Sequence, residues 1–418
     1  DLPQTEGLLS LFGQWDNSKI LRIESVGDGV SELGALHPGK TLTVGMETQP
    51  GALAAFGPNH SVANVADGLA LTELMGKIDA RYMGDPRVVK TVFDAASKIP
   101  GVSYETLLDD FRKIIQGNAS PSTTPDETDA TKLSATRKSL YDNIKALSDS
   151  ATFKALVGKA TIQLADSSLG TTAKTDFAAF LSLNALSTAI VSTSDATALA
   201  ALKTANTTLA QDWDADKNAR LNGDTSKVFA YSDSWYADRS AMLDALIRRN
   251  QVDDTNATIK APQDLRFLDE TRKIDLRLGS STTGDDNRKK FHFGDDKANQ
   301  LTGASKEDHL YGGSGADTLE GKDGADYLEG GADADTYVLQ TGLTGIDTLV
   351  DSGSNTLQVD GKTVSGAFAQ VAGMGGDIYY SADKSYQLRK AEGGVWRSSC
   401  ARHAQNRKAP VRVTGALS

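Results

Sequence analysis

The chain has 418 residues, with 44 Lys+Arg against 55 Asp+Glu for a formal net charge of −11, 39% hydrophobic residues and one cysteine. That length allows two or three domains with cores of their own. The acidic balance argues against nucleic acid as a partner, the lone Cys400 excludes an intrachain disulfide, and no run of about 18 apolar residues is present to cross a bilayer as a helix.

Residues 1–60 have the pattern of the end of an α/β domain. Residues 19–26 are a β-branched and apolar run that predicts a strand, followed by the turn Gly27, Asp28, Gly29. Loops after strands commonly carry catalytic groups. Then come His37, Pro38 and Gly39, a second strand over residues 41–44, and His60 just before a helical pattern. In that helix Val62, Val65, Ala66 and Leu69 follow the i, i+3, i+4, i+7 spacing, extended by Leu71, Leu74, Met75 and Ile78. A second helix is expected over residues 86–98, with Pro86 at its start. A third runs from an N-cap at Ser103 to Gly117.

Residues 118–131, rich in Ser, Thr, Pro and Asp, read as a linker. Residues 132–255 read as a helical region, with four or five helices up to residue 210. It ends in an amphipathic helix over 234–249 whose Trp235, Met242, Leu243, Leu246 and Ile247 form a core face. Residues 256–292 are a polar connector with short strands.

Residues 294–338 divide into five consecutive blocks of nine: GDDKANQLT, GASKEDHLY, GGSGADTLE, GKDGADYLE and GGADADTYV. Position one is always Gly. Position six is Asn299, Asp308, Asp317, Asp326 and Asp335. Position eight is Leu301, Leu310, Leu319, Leu328 and Tyr337. This is the nine-residue pattern of a Ca²⁺-binding parallel β-helix. Six residues make a tight turn and three a short strand. Glycines let the carbonyls face inward, and the Asp adds a hard oxygen for an ion that takes six to eight of them. The apolar residue two places on fills a thin core. The residues expected at the metal are Asp308, Gly313, Gly315, Asp317, Gly324, Asp326, Asp333 and Asp335. The charge is concentrated here: residues 293–360 hold 14 Asp+Glu and 3 Lys, a net of −11, and the remainder balances. Without metal, Asp would stack beside Asp over a small core, so this segment is expected to fold only on binding Ca²⁺.

After the blocks, residues 341–351 have the pattern of a closing cap, alternating apolar runs over residues 356–390 read as β-hairpins, and the C-terminal region of hairpins and tail spans 361–418. From Arg397 the chain is basic, with five Arg/Lys and no acids. The expected fold class is mixed α and β in several domains: a truncated α/β end over 1–117, which the resemblance given next implies to be that of an α/β-hydrolase, the helical middle, and a parallel β-roll over 293–360.

The nine-residue blocks resemble the repeats-in-toxin (RTX) repeats of secreted bacterial proteins. Blocks one and two depart from the pattern, with Asp295 and Ala304 at position two and Lys297 and Lys306 at position four. The resemblance implies that alternate blocks stack, pairing Asp308 with Asp326 and Asp317 with Asp335. It also implies an extracellular protein exported by type I secretion machinery, led by its C-terminus. The N-terminal stretch resembles the end of a class 3 lipase domain, in which the triad runs Ser, Asp, His along the chain. By that resemblance Asp28 orients the imidazole and His60 is the general base, with His37 ranked behind it. The alternative is that Asp28 caps a turn and His60 a helix. No G-x-S-x-G occurs in the sequence, so the nucleophile is expected before Asp1. The resemblance implies the C-terminal portion of a secreted Ca²⁺-dependent lipase or phospholipase, acting on lipid carboxylic esters at a membrane surface. A non-enzymatic Ca²⁺-binding toxin or adhesin segment remains open. An RTX protease is disfavoured because H-E-x-x-H is absent.

Overall fold

The computed structural model describes residues 21–25, 40–44, 62–97, 103–117, 130–224, 227–251, 258–259 and 261–340, most of 343–364, and the short strands 369–370, 378–380, 387–390, 396–399 and 412–415. Two strands begin it, β1 (Leu21–Ser25) and β2 (Lys40–Val44), where the sequence predicts them. They pair in parallel, Leu21 opposite Lys40 through Ser25 opposite Val44. Asp28, His37 and His60 lie outside the described residues.

Contacts divide the chain into two units, residues 1–211 with 239–253, and residues 212–238 with 254–418. The first is mainly helical. It contains α1 (Val62–Ile78), α2 (Pro86–Ala96), α3 (Ser103–Gln116), α4 (Ala130–Asp149) and α5 (Ala151–Leu156). The strand β3 (Thr161–Leu164) precedes the single-turn α6 (Leu169–Thr172) and α7 (Phe177–Asn184), and β4 (Ala189–Ser192) follows. Next are α8 (Ala196–Ala205), the start of α9 (Thr207–Leu221) and the later part of α10 (Asp233–Gln251). The periodic apolar residues of α1 and α3 are its core: Leu71, Leu74, Met75, Leu107, Leu108 and Phe111 are all buried. The antiparallel β3–β4 pair lies in a segment that reads as helices with breaks near Gly170 and Ser192 in sequence. Asp79 anchors it by accepting the Ile162 N–H at 2.9 Å, and Tyr82 donates to the Ile162 carbonyl at 3.1 Å. These long-range partners make a four-residue strand stable where local propensity does not.

The second unit is a two-sheet coil. Its first sheet contains β5 (Thr258–Ile259), β6 (Leu265–Asp269), β7 (Ile274–Leu278), β8 (Lys289–Phe293), β10 (His309–Gly313), β12 (Tyr327–Gly331), β14 (Thr348–Asp351) and β21 (Arg412–Gly415). Its second contains β9 (Gln300–Thr302), β11 (Thr318–Glu320), β13 (Thr336–Leu339), β15 (Thr356–Val359) and β16 (Lys362–Thr363). Strands two blocks apart pair in parallel, His309 opposite Tyr327 and Thr318 opposite Thr336. Two nonads therefore make one turn of a solenoid. Leu301, Leu310, Leu319, Leu328 and Tyr337, the eighth residues, form its buried core with Leu339, Leu349, Leu357 and Val359.

One stretch serves differently from its sequence reading. Residues 256–292, read as a connector, supply β6, β7 and β8 of the first sheet. There the fully buried Arg288 donates to the carbonyls of Leu278, Ser280 and Thr283 and closes the hairpin end. Residues 356–359, inside the 293–360 expected for the roll and also read as the start of a hairpin run, form β15, which adds in parallel to β13. The later strands β17 (Ala369–Gln370), β18 (Ile378–Tyr380), β19 (Gln387–Lys390) and β20 (Trp396–Ser399) do form an antiparallel sheet.

Candidate metal centre

Strands β9 to β15 each begin after an Asp or Asn, and this residue organises the turn. The side chains at position six point inward, with Asp308 and Asp317 0% exposed and Asp326 and Asp335 1%. Their Oδ1 atoms form a ladder, each accepting a backbone N–H from the turn stacked before it. Lys290 donates to Asp308 at 2.7 Å, Asn299 to Asp317 at 2.7 Å, Asp308 to Asp326 at 2.8 Å and Asp317 to Asp335 at 2.8 Å. The ladder continues past the fifth block: Asp326 N–H donates to Asp347 at 3.1 Å and Asp335 N–H to Asn355 at 2.8 Å.

The second oxygens separate the regular turns from the irregular ones. Oδ2 of Asp317, Asp326 and Asp335 is buried and has no hydrogen-bond partner. In block two, Asp308 Oδ2 accepts the Ala304 N–H of its own turn, and in block one Asn299 Oδ1 accepts the Asp295 N–H at 2.7 Å. A buried carboxylate oxygen without a partner is costly, so three of them in successive turns imply a cation. A carbonyl converges on the same place. A methyl group on Gly312 would stand 2.4 Å from Asp317 Oδ2 and 2.4 Å from the Gly330 carbonyl oxygen; on Gly303 it would stand 2.7 Å from Asp308 Oδ2 and 2.2 Å from the Gly321 carbonyl oxygen. Glycine at position one thus leaves open the space between one carboxylate and the next turn's carbonyl. Among the described residues, no three His, Cys, Asp or Glu side chains are grouped to hold an ion. The donor set is one carboxylate with backbone carbonyls, all hard oxygens that suit Ca²⁺ and not a soft transition metal.

The electrostatics agree. Burial pushes the Asp317 carboxyl up to about 6, with the charges of Asp295 and Asp333 adding to the shift. Asp308 is also raised, chiefly by burial. Asp326 and Asp335 are raised by burial first, then by the neighbouring Asp347 and Asp351. Burial without a cation shifts these carboxyls toward the protonated form, and a bound divalent ion opposes that shift.

The other residues expected at the metal line the stacked turns. Gly313 (φ +100°), Gly315 (φ +104°) and Gly324 (φ +128°) have left-handed backbone. The Gly313 carbonyl accepts the Ala332 N–H at 2.8 Å, and Asp333 Oδ2 accepts the Gly315 N–H at 3.0 Å. Asp347 and Asn355 were missed because β14 and β15 follow longer connections: Thr348 pairs with Tyr327 and Thr356 with Thr336, so the nine-residue count fails. The shorter signal, Asp or Asn two places before a core Leu, persists at Asp347/Leu349 and Asn355/Leu357.

A family model for the RTX calcium-binding nonapeptide repeat, in four copies, matches residues 293–328 and 302–337. No curated protein matches the chain. The stretch 293–337 thus consists of calcium-binding RTX repeats, and the structure extends the same coil through β8 at its start and β14 and β15 at its end.

Proposed function

We propose that this chain is the Ca²⁺-folded C-terminal portion of a secreted lipase or phospholipase, with Asp308, Asp317, Asp326 and Asp335 as the carboxylate ligands of its roll. The observation that carries the calcium reading is the set of unpartnered, buried Oδ2 atoms on Asp317, Asp326 and Asp335. Low Ca²⁺ inside the cell leaves these carboxylates without a counter-charge. High Ca²⁺ outside supplies it, so folding follows export through a type I machinery, and RTX repeats are typical of secreted proteins. Far-UV circular dichroism of the full chain should gain strand signal on adding millimolar Ca²⁺. An unchanged spectrum would remove the roll's role as a calcium-triggered fold.

The ester-hydrolase part rests on the order strand, Asp28, strand, His60, helix, and on the parallel pairing of β1 with β2, as in an α/β sheet. Asp28 would hold the His60 imidazole in orientation, and His60 would take the proton of a serine nucleophile. In the parent enzyme, His60→Ala should abolish hydrolysis of a lipid ester and leave the Ca²⁺-dependent spectral change intact; retained hydrolysis would remove His60 from the triad. The second reading, a non-enzymatic calcium-binding toxin or adhesin segment, is favoured by the family match, which covers the repeats at 293–337 alone.

A further inference from the structure

The first residues of the odd blocks form a column along the roll. Phe293 pairs with Tyr311, Tyr311 with Glu329, and Glu329 with Val350. The next residues in register are Gly294, Gly312, Gly330 and Asp351, so an aspartate stands where three glycines precede it. At each of the first two, the next glycine's carbonyl closes the turn: a methyl group on Gly294 would be 2.0 Å from Gly312 O, and on Gly312 2.4 Å from Gly330 O. At Gly330 a side chain takes the carbonyl's place. A methyl group there would stand 2.3 Å from Asp335 Oδ2 and 2.3 Å from Asp351 Oδ2. Both residues are buried, 1% and 4% exposed, and Asp335 Oδ2 has no hydrogen-bond partner. Tyr337 fixes the second carboxylate, its hydroxyl donating to Asp351 Oδ2 at 2.5 Å while accepting the Gly330 N–H at 2.8 Å.

We propose that Asp335 and Asp351 form a further Ca²⁺ site at the C-terminal end of the roll, in which two carboxylates replace the single carboxylate and glycine carbonyl of the earlier turns. Asp351 lies beyond the matched repeats, which end at residue 337, and the site rests on the reading of the roll as calcium-binding. Two buried carboxylates aimed at one point repel unless a cation lies between them. Ligand charge count raises calcium affinity, so this site is the tightest of the roll and fills first. Tyr337 is a positioning residue that holds Asp351 toward the ion.

Equilibrium dialysis of the full chain against Ca²⁺ tests this. Asp351→Asn should bind one ion fewer per chain, or weaken the tightest class at least tenfold, with the calcium-saturated circular dichroism unchanged. An unaltered count and affinity would overturn the proposal and leave a hydrogen-bonded carboxyl pair. Wild-type protein that binds no Ca²⁺ at all would instead sink the reading of the roll. Should Asp351→Asn not fold, Tb³⁺ titration of Tyr337→Phe decides. Emission excited through tyrosine at the first equivalent should fall at least twofold relative to wild type, and equal emission overturns the site.

Discussion

At the scale of single residues, the turns reveal which departures from the repeat are tolerated and at what cost. Position two is left-handed in blocks three to five, at Gly313, Lys322 and Gly331, and position four at Gly315, Gly324 and Asp333. Lys322 (φ +72°) and Asp333 (φ +75°) therefore hold a backbone that glycine adopts freely. Asp295, Ala304, Lys297 and Lys306 occupy the same slots in blocks one and two without that conformation, and there the position-six oxygen turns to its own loop's N–H. The side chain of Lys322 is exposed, so its removal costs little packing. Relief of left-handed strain of about 1–2 kcal/mol outweighs the extra chain entropy of glycine, about 0.5–1 kcal/mol. Lys322→Gly should stabilise the calcium-loaded roll by roughly 0.5–1 kcal/mol, read as a higher denaturant midpoint at saturating Ca²⁺. A lower midpoint would refute the strain argument.

At the scale of elements, the two sheets of the roll share a leucine core and differ on their outer faces. The second sheet presents Gln300, Thr302, Thr318, Glu320, Thr336 and Val338. The first presents Phe291, Phe293, His309, Tyr311, Tyr327 and Glu329. These aromatics pack along the sheet, Phe293 on Tyr311 with centroids 4.9 Å apart and Tyr311 against Tyr327 at 5.8 Å. Residues 232–238, the start of α10, cover them. Asp238 Oδ2 accepts from the Tyr311 hydroxyl at 2.5 Å and lies 2.5 Å from His309 Nδ1, and Ser232 hydrogen-bonds Glu329. Burial under this cover pushes Glu329 up to about 7 from its usual 4.5. A carboxyl raised by folding contributes stability below about 4.5 that is lost as pH climbs to about 7. Glu329→Gln keeps the size and loses the charge. Its melting temperature at saturating Ca²⁺ should rise relative to wild type between pH 5 and pH 8, and parallel curves would show that Glu329 does not titrate on unfolding. The alternation of aromatic and polar strands was open to reading in the blocks, because even and odd nonads face opposite sheets. What covers the aromatic face was not, because Asp238 comes 71 residues before the His309 it meets.

At the scale of the molecule, the charge and the metal belong to one unit and most of the helices to the other. Residues 293–360 carry the entire formal excess of −11. The mainly helical unit has an apolar core of its own, including Phe93 set edge-on to Tyr104 at 4.9 Å. Chelation of Ca²⁺ should therefore abolish strand signal and leave most helical ellipticity in place. Loss of both together would mean that the helical core does not stand without the roll. Among the described residues no helix is long and apolar enough to cross a membrane.

The sequence alone determined the roll's core, its turns and its ion, because a nine-residue period fixes which side chains fall inside once two nonads close one turn. It also set the amphipathic helices α1, α3 and α10, whose buried faces follow from local spacing. Only the tertiary structure decided where the coil begins and how its last turns, inside the 293–360 expected for the roll, pair with the repeats. Strand β8 joins in the 18-residue register of the repeats, whereas β6, β14 and β15 join across longer connections that break the period. Tertiary structure also decided which carboxylate oxygens are left without a partner, and that Asp351 enters a turn built elsewhere by glycine. Those facts depend on which backbone groups stack against one another across turns, and no residue's neighbours in sequence disclose that.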